Sequence, residues 1–171
     1  MAVIIDGTAN TVTARATQSL VSGTAVASTS GTVIDFTSIP SWVKRITVMF
    51  NGVSTSGTSI MLCQIGSGSF TTSGYISAAW SANTSSTTGS TGFNLVGIGI
   101  AAGTTSGVIQ LVSFGSNAWC QQSTLGSQNS GNSISSGAGY LALGGALDRV
   151  RITTVNGTDT FDAGSINIMY E

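Results

Sequence analysis

The chain has no histidine, one lysine, one glutamate and one proline among its 171 residues, and charged residues make up only 6% of it. Between Arg45 and Asp148 no Asp, Glu, Lys or Arg occurs at all, a neutral run of 102 residues. General acid–base catalysis, nucleophile activation and hard-metal binding draw on those missing side chains. The run therefore argues against an enzyme and against a cofactor or bound metal, and towards a structural or recognition module. A glycoside hydrolase needs a pair of carboxylates. The six acids (Asp6, Asp35, Asp148, Asp159, Asp162 and Glu171) could supply one only across chain ends or subunits.

The other scarcities narrow the class further. Exposed helices lean on Lys and Glu for propensity and for solvated pairs one turn apart, and with one of each the chain is predicted to be all-β. Five basic residues against six acidic ones leave a net charge of −1. Nucleic-acid binding needs a basic patch, whereas here Lys44-Arg45 and Arg149/Arg151 have acids nearby, so nucleic acid is not an expected partner. Two cysteines 57 positions apart, Cys63 and Cys120, do not make a disulfide framework and are expected to be buried free thiols. The first six residues lack the basic and apolar regions of a signal peptide, which predicts synthesis in the cytoplasm. The longest apolar stretches, 95–103 and 140–147, are too short to span a membrane, so no membrane insertion is expected.

Serine (27), threonine (24) and glycine (23) account for 74 residues, yet 41% of the chain is hydrophobic. Disordered chains are poor in apolar residues and rich in charge; this composition describes a folded protein with polar, uncharged loops. Residues 1–32 read as an N-terminal arm or docking segment with strand-like fragments near Ile4 and Val12. Residues 33–171 read as one β-sandwich or jelly-roll-like domain. Within it, 33–36, 42–50, 60–65, 93–100, 108–114, 140–143, 147–155 and 165–170 are expected strands, from β-branched content, alternation and turn signals. In 42–50, Ile46, Val48 and Phe50 share one face, and Asn51-Gly52 reads as the closing turn. Residues 66–92 and 115–137 are rich in Ser, Thr, Gly, Asn and Gln and read as two long surface loops.

Those loops hold the candidate ligand contacts. Tyr75, Trp80 and Trp119 offer ring faces that stack on sugars, and Gln121 and Gln122, with Asn129 and Asn132 nearby, can hydrogen-bond hydroxyls without charge. The alternative is that the aromatics cap the core or fill a subunit interface, where large rings usually lie. Lys44, Arg45, Asp148, Arg149 and Arg151 flank the neutral run and form a candidate set of structural or interface ion pairs, with Asp159 and Asp162 as further acids. Asn156, Asp159 and Asp162 do not have the spacing of a calcium loop and fit turn chemistry.

Two segments, SIPSWVKRITVMFNGVS (38–54) and LDRVRITTVNGTDTFDAGSINIMYE (147–171), together resemble the C-terminal region of tailed-phage and prophage tail-fibre-like proteins. The resemblance covers about a quarter of the chain, on both flanks of the domain. It implies a non-enzymatic, β-rich and trimeric virion protein of tail-fibre or tail-tip kind. Its polar, aromatic-bearing loops would then contribute to recognition of a host-surface glycan, and residues 1–32 would dock it to other virion proteins. Members of that family often end long fibres with shaft repeats, while only some 32 residues precede the domain here. The alternative is therefore a capsid decoration or cement protein whose arm crosses capsid subunits.

Overall fold

A computed structural model of the chain describes residues 4–6, 11–13, 20–82, 84–95, 101, 103–128 and 132–171. Among the described residues every regular element is a strand and every strand pairing is antiparallel, so the all-β expectation holds. The strands are β1 Ile4–Asp6, β2 Thr11–Thr13, β3 Val21–Ser22, β4 Val26–Ala27, β5 Ile34–Thr37, β6 Arg45–Thr55, β7 Met61–Ser67 and β8 Ser69–Phe70. They continue with β9 Ile76–Ser81, β10 Thr84–Gly89, β11 Phe93–Leu95, β12 Thr104–Gly115, β13 Ala118–Gln128, β14 Ser133–Ala142, β15 Arg149–Thr154 and β16 Phe161–Tyr170.

Two sheets pack into an open sandwich. The larger runs β10-β9-β14-β13-β12-β6-β16-β3, with β4 also on β16; the smaller runs β11-β7-β15-β5, with β8 on β7. Ile46, Val48 and Phe50 of β6, Ile109 and Leu111 of β12, and Ile166 and Ile168 of β16 form one wall of the core. Cys63 and Ile65 of β7, Val150 and Ile152 of β15, and Phe36 of β5 form the other. Each buried aliphatic side chain contributes roughly 1.5–3 kcal/mol relative to exposure, which makes this two-walled layer the main source of cohesion. β1 and β2 pair with each other as a separate two-stranded sheet.

Asn51-Gly52 does not end β6. The strand continues to Thr55, and the core-facing parity changes there: Ile46, Val48 and Phe50 point inward before it, Val53 and Thr55 after it. A strand changes parity only by absorbing an extra residue, which is a β-bulge. The pairing slips at this point on both sides, between Thr105 and Gly107 on β12 and between Ala163 and Ser165 on β16. Gly164, at φ 86°, lies so close to the Asn51 and Gly52 carbonyls that an added Cβ would collide with them. The Gly52 N–H is taken by the Ser106 hydroxyl at 2.9 Å.

Both expected long loops are largely strand. Residues 66–92 contain β8, β9 and β10, and 115–137 contain β13 and the start of β14. Their Ser, Ala and Gly positions pack inward against β11 (Phe93–Leu95). Ser77, Ser81, Ser123, Ser133 and Ser135 are all buried, and Asn94 N–H donates to Ser77 Oγ at 2.8 Å. Small inward side chains let β11 approach the sheet closely; an added Cβ at Gly139 would meet the Phe93 ring. The domain boundary also moves. Residues 21–27 lie on β16 as edge strands, and buried Ser28 donates its hydroxyl to Ala163 O at 2.8 Å. The last part of the expected arm therefore belongs to the domain's larger sheet. Of the expected strand 93–100, residues 96–100 lie outside the described residues, as does Asn129.

Candidate functional site

The predicted contact residues fall on opposite sides of the larger sheet. Tyr75 is buried, with its ring edge-on to Phe93 at 4.8 Å between centroids. Its hydroxyl accepts the Ile65 N–H at 2.8 Å and donates to Thr71 O at 3.0 Å, and burial raises its pKa above the usual tyrosine range. Trp119 is buried in the core. Gln121 points inward from β13, and neither end of its buried amide has a hydrogen-bond partner among the described residues. All three are buried, which leaves little of their side chains to offer an external ligand. For Tyr75 and Trp119, the core-capping alternative is the one observed.

Trp80 and Gln122 lie on the outer face, where strand pairing sets four rows of side chains about two residues, or 7 Å, apart. The first row is Ile76–Tyr140–Cys120–Val112–Arg45, and the second is Ala78–Ala138–Gln122–Gln110–Thr47–Met169. The third is Trp80–Ser136–Thr124–Val108–Met49–Asn167, and the fourth Ile134–Gly126–Ser106. Trp80 is 52% exposed, Ile76 70% and Ile134 61%. Gln122 Nε2 donates to Gln110 Oε1 at 2.6 Å, which fixes a pair of amides in the second row. The Ala78–Ala138 floor opens a recess of about 530 Å³ edged by Ile76, Tyr140 and Thr88. These four rows thus offer ring surfaces, hydroxyls and amides, with charge at their Arg45 corner; Asp162, exposed on β16 of the same sheet, lies beyond them. Sequence reasoning missed Tyr140 and Ile76, whose outward alternation with Ser and Gly was the available signal.

Cys120 also belongs to this face and is exposed, contrary to the expectation of two buried thiols; Cys63 is buried, and both are free. Burial pushes the Cys63 thiol up to about 12.

Arg45 is the member of the charged set that stands on this face, and it, Arg149 and Arg151 pair locally. β6 and β15 lie in different sheets, so Arg45 and the Arg149/Arg151 group do not share one sheet. Arg45 pairs with Glu171. Arg149 binds Asp148 through Nε at 2.7 Å, and Arg151 binds Asp35 through Nε and an Nη at 2.7 Å each. The Arg149 guanidinium, together with the Gly68 N–H, holds the Asp148 carboxyl below the usual range. Arg151 also stacks over Phe70 at 4.0 Å. Lys44 is exposed, with no carboxylate partner among the described residues. Asp159 accepts from Asn156 Nδ2 at 2.6 Å and from Ser59 N–H at 2.9 Å, which locks the 156–159 turn.

Compared with known proteins, the chain matches no family model, no curated protein and no solved structure.

Proposed function

We propose that the chain is a non-enzymatic virion protein of a tailed phage, of tail-fibre or tail-tip kind, that presents the outer face of its larger sheet to neutral glycans on the host surface. The observation that carries this reading is the face itself: Trp80 and Tyr140 stand among Ser, Thr and Gln side chains with no charge inboard of Arg45. Sugar rings stack their C–H faces on such aromatics, and their hydroxyls pair with amides and hydroxyls. Of the carboxylates, Asp35, Asp148, Asp159 and Glu171 each have a local partner, while Asp162 is exposed on β16. A jelly-roll-like trimer is the assembly that fits the resemblance. Phe114, 79% exposed beside Val112 on β12, is apolar surface that subunit packing would cover. Three weak sites on one tip gain avidity through effective concentration.

A second reading, a capsid decoration protein, is favoured by β3 and β4. These short strands add to the edge of β16, the same mode by which an arm would dock on a capsid neighbour. A cryo-EM map of the intact particle tests both. Trimers at the tail end with the Trp80 face outward are expected. Copies on the capsid lattice would replace the first reading with the second, and particles without the chain would overturn both.

A further inference from the structure

We infer that the recess over Gly126 is a monosaccharide subsite for a neutral sugar; this rests on the glycan reading of the outer face and deepens it. Gly126 sits two residues from the end of β13 at an outward position, paired with Ser106 on β12 and Ile134 on β14. Nothing in the backbone requires glycine there. Its φ is not in the left-handed region, and an added Cβ would meet only the Ser106 carbonyl, at an ordinary 3.9 Å. Gly107 and Gly164 differ, since both have positive φ and crowded Cβ positions. Glycine inside a strand weakens it and often marks a close approach by a ligand. What the missing side chain leaves is a recess of about 430 Å³, edged by Ser106, Gln128, Asn132 and Ile134.

The lining states the ligand class. The Ser106 oxygen accepts the Gly52 N–H, which leaves its own O–H free to donate outward. Gln128 is exposed in the outward set of β13, and Asn132 is exposed at the head of β14. Each amide can donate and accept. Ile134 gives an apolar wall for a sugar's C–H face. Trp80 is the diagonal neighbour of Ile134 across the β9–β14 pair, a separation that aromatic side chains bridge. The described lining holds no cation, and Arg45 lies three rows away, about 20 Å along the strands. A carboxylated sugar would therefore lose its hydration without a counter-charge, so neutral hexoses and N-acetylhexosamines are preferred over sialic acid.

Saturation-transfer NMR on the full chain tests this, using methyl glycosides of glucose, galactose and N-acetylglucosamine, with N-acetylneuraminic acid as the charged comparison. At least one neutral glycoside is expected to bind and the acid not to. Gly126→Val, a β-favouring residue with room for its Cβ, is expected to weaken binding at least tenfold with an equal or higher melting temperature, and Gly126→Ala to weaken it less. If Gly126→Val binds like the wild type while Trp80→Ala loses binding, the recess is not the subsite and the outer-face reading stands. If the wild type binds no neutral glycoside, both fall. Preference for the acid would also overturn the subsite.

Discussion

At the scale of single residues, the burial of polar groups yields the sharpest predictions. The Tyr75 hydroxyl satisfies the buried Ile65 N–H, so Tyr75→Phe leaves that donor unpaired and should cost about 1–3 kcal/mol in denaturant unfolding. Gln121 is the converse case, a buried amide without a partner among the described residues. Gln121→Met, close in volume, should stabilise the fold by about 1 kcal/mol, seen as a higher denaturant midpoint with an unchanged slope. Among the thiols, Cys120 should react with Ellman's reagent in the native protein and Cys63 only on unfolding. The folded chain holds the Cys63 proton more tightly than the unfolded chain, with the thiol moved from 9.0 to about 12. The associated stability is complete below pH 9 and is lost as pH rises towards 12. Buried Tyr75 acts in the same direction from about pH 10 upward, overlapping the Cys63 window. Cys63→Ala should therefore flatten the alkaline decline of unfolding free energy by up to about 1.4 kcal/mol per pH unit.

At the scale of elements, the bulge at Asn51-Gly52 is what lets β6 serve the core at both ends. Gly164→Ala combines a positive φ with a backbone collision and should destabilise by about 2 kcal/mol or more. Gly52→Ala has a positive φ but open space and should cost about 1 kcal/mol; thermal unfolding of the two variants compares them. The same elements show what was legible in the sequence. β6, β15 and β16 could be read because Ile46, Val48, Ile152, Ile166 and Ile168 alternate with polar residues in the usual sense, apolar inward. β9, β13 and the first half of β14 read as loops because the sense is reversed or absent: Ser77, Ser81 and Ser135 point in while Ile76, Trp80 and Ile134 point out. A hydrophobicity pattern cannot report a strand whose inner face must be small so that β11 can lie against it. Two of the five candidate contacts, Trp119 and Gln121, turn out to be buried for the same reason. With β13 taken as a loop, Trp119 and Gln121 counted as surface, although their odd-numbered positions in that strand face the core.

At the scale of the whole molecule, charge is kept to the margins. Arg45–Glu171 closes one corner, and Arg149–Asp148 with Arg151–Asp35 sits on the smaller sheet. Such exposed pairs are worth only about 0–1 kcal/mol each, so neutralising them should change stability little. What the arrangement leaves is a neutral, ring-bearing outer face on the larger sheet, and neutrality has a consequence that can be measured. Binding through stacking and hydrogen bonds is nearly independent of ionic strength, whereas binding through exposed charges collapses as screening shortens to a few ångströms. The decisive measurement is therefore the binding of the purified chain to neutral host-envelope glycan at about 0.05 M and about 0.5 M salt, for wild type and Trp80→Ala. The predicted result is wild-type affinity that changes less than about twofold between the two salts and is lost in the variant. Affinity that collapses in high salt, or that survives without Trp80, would contradict recognition by this face.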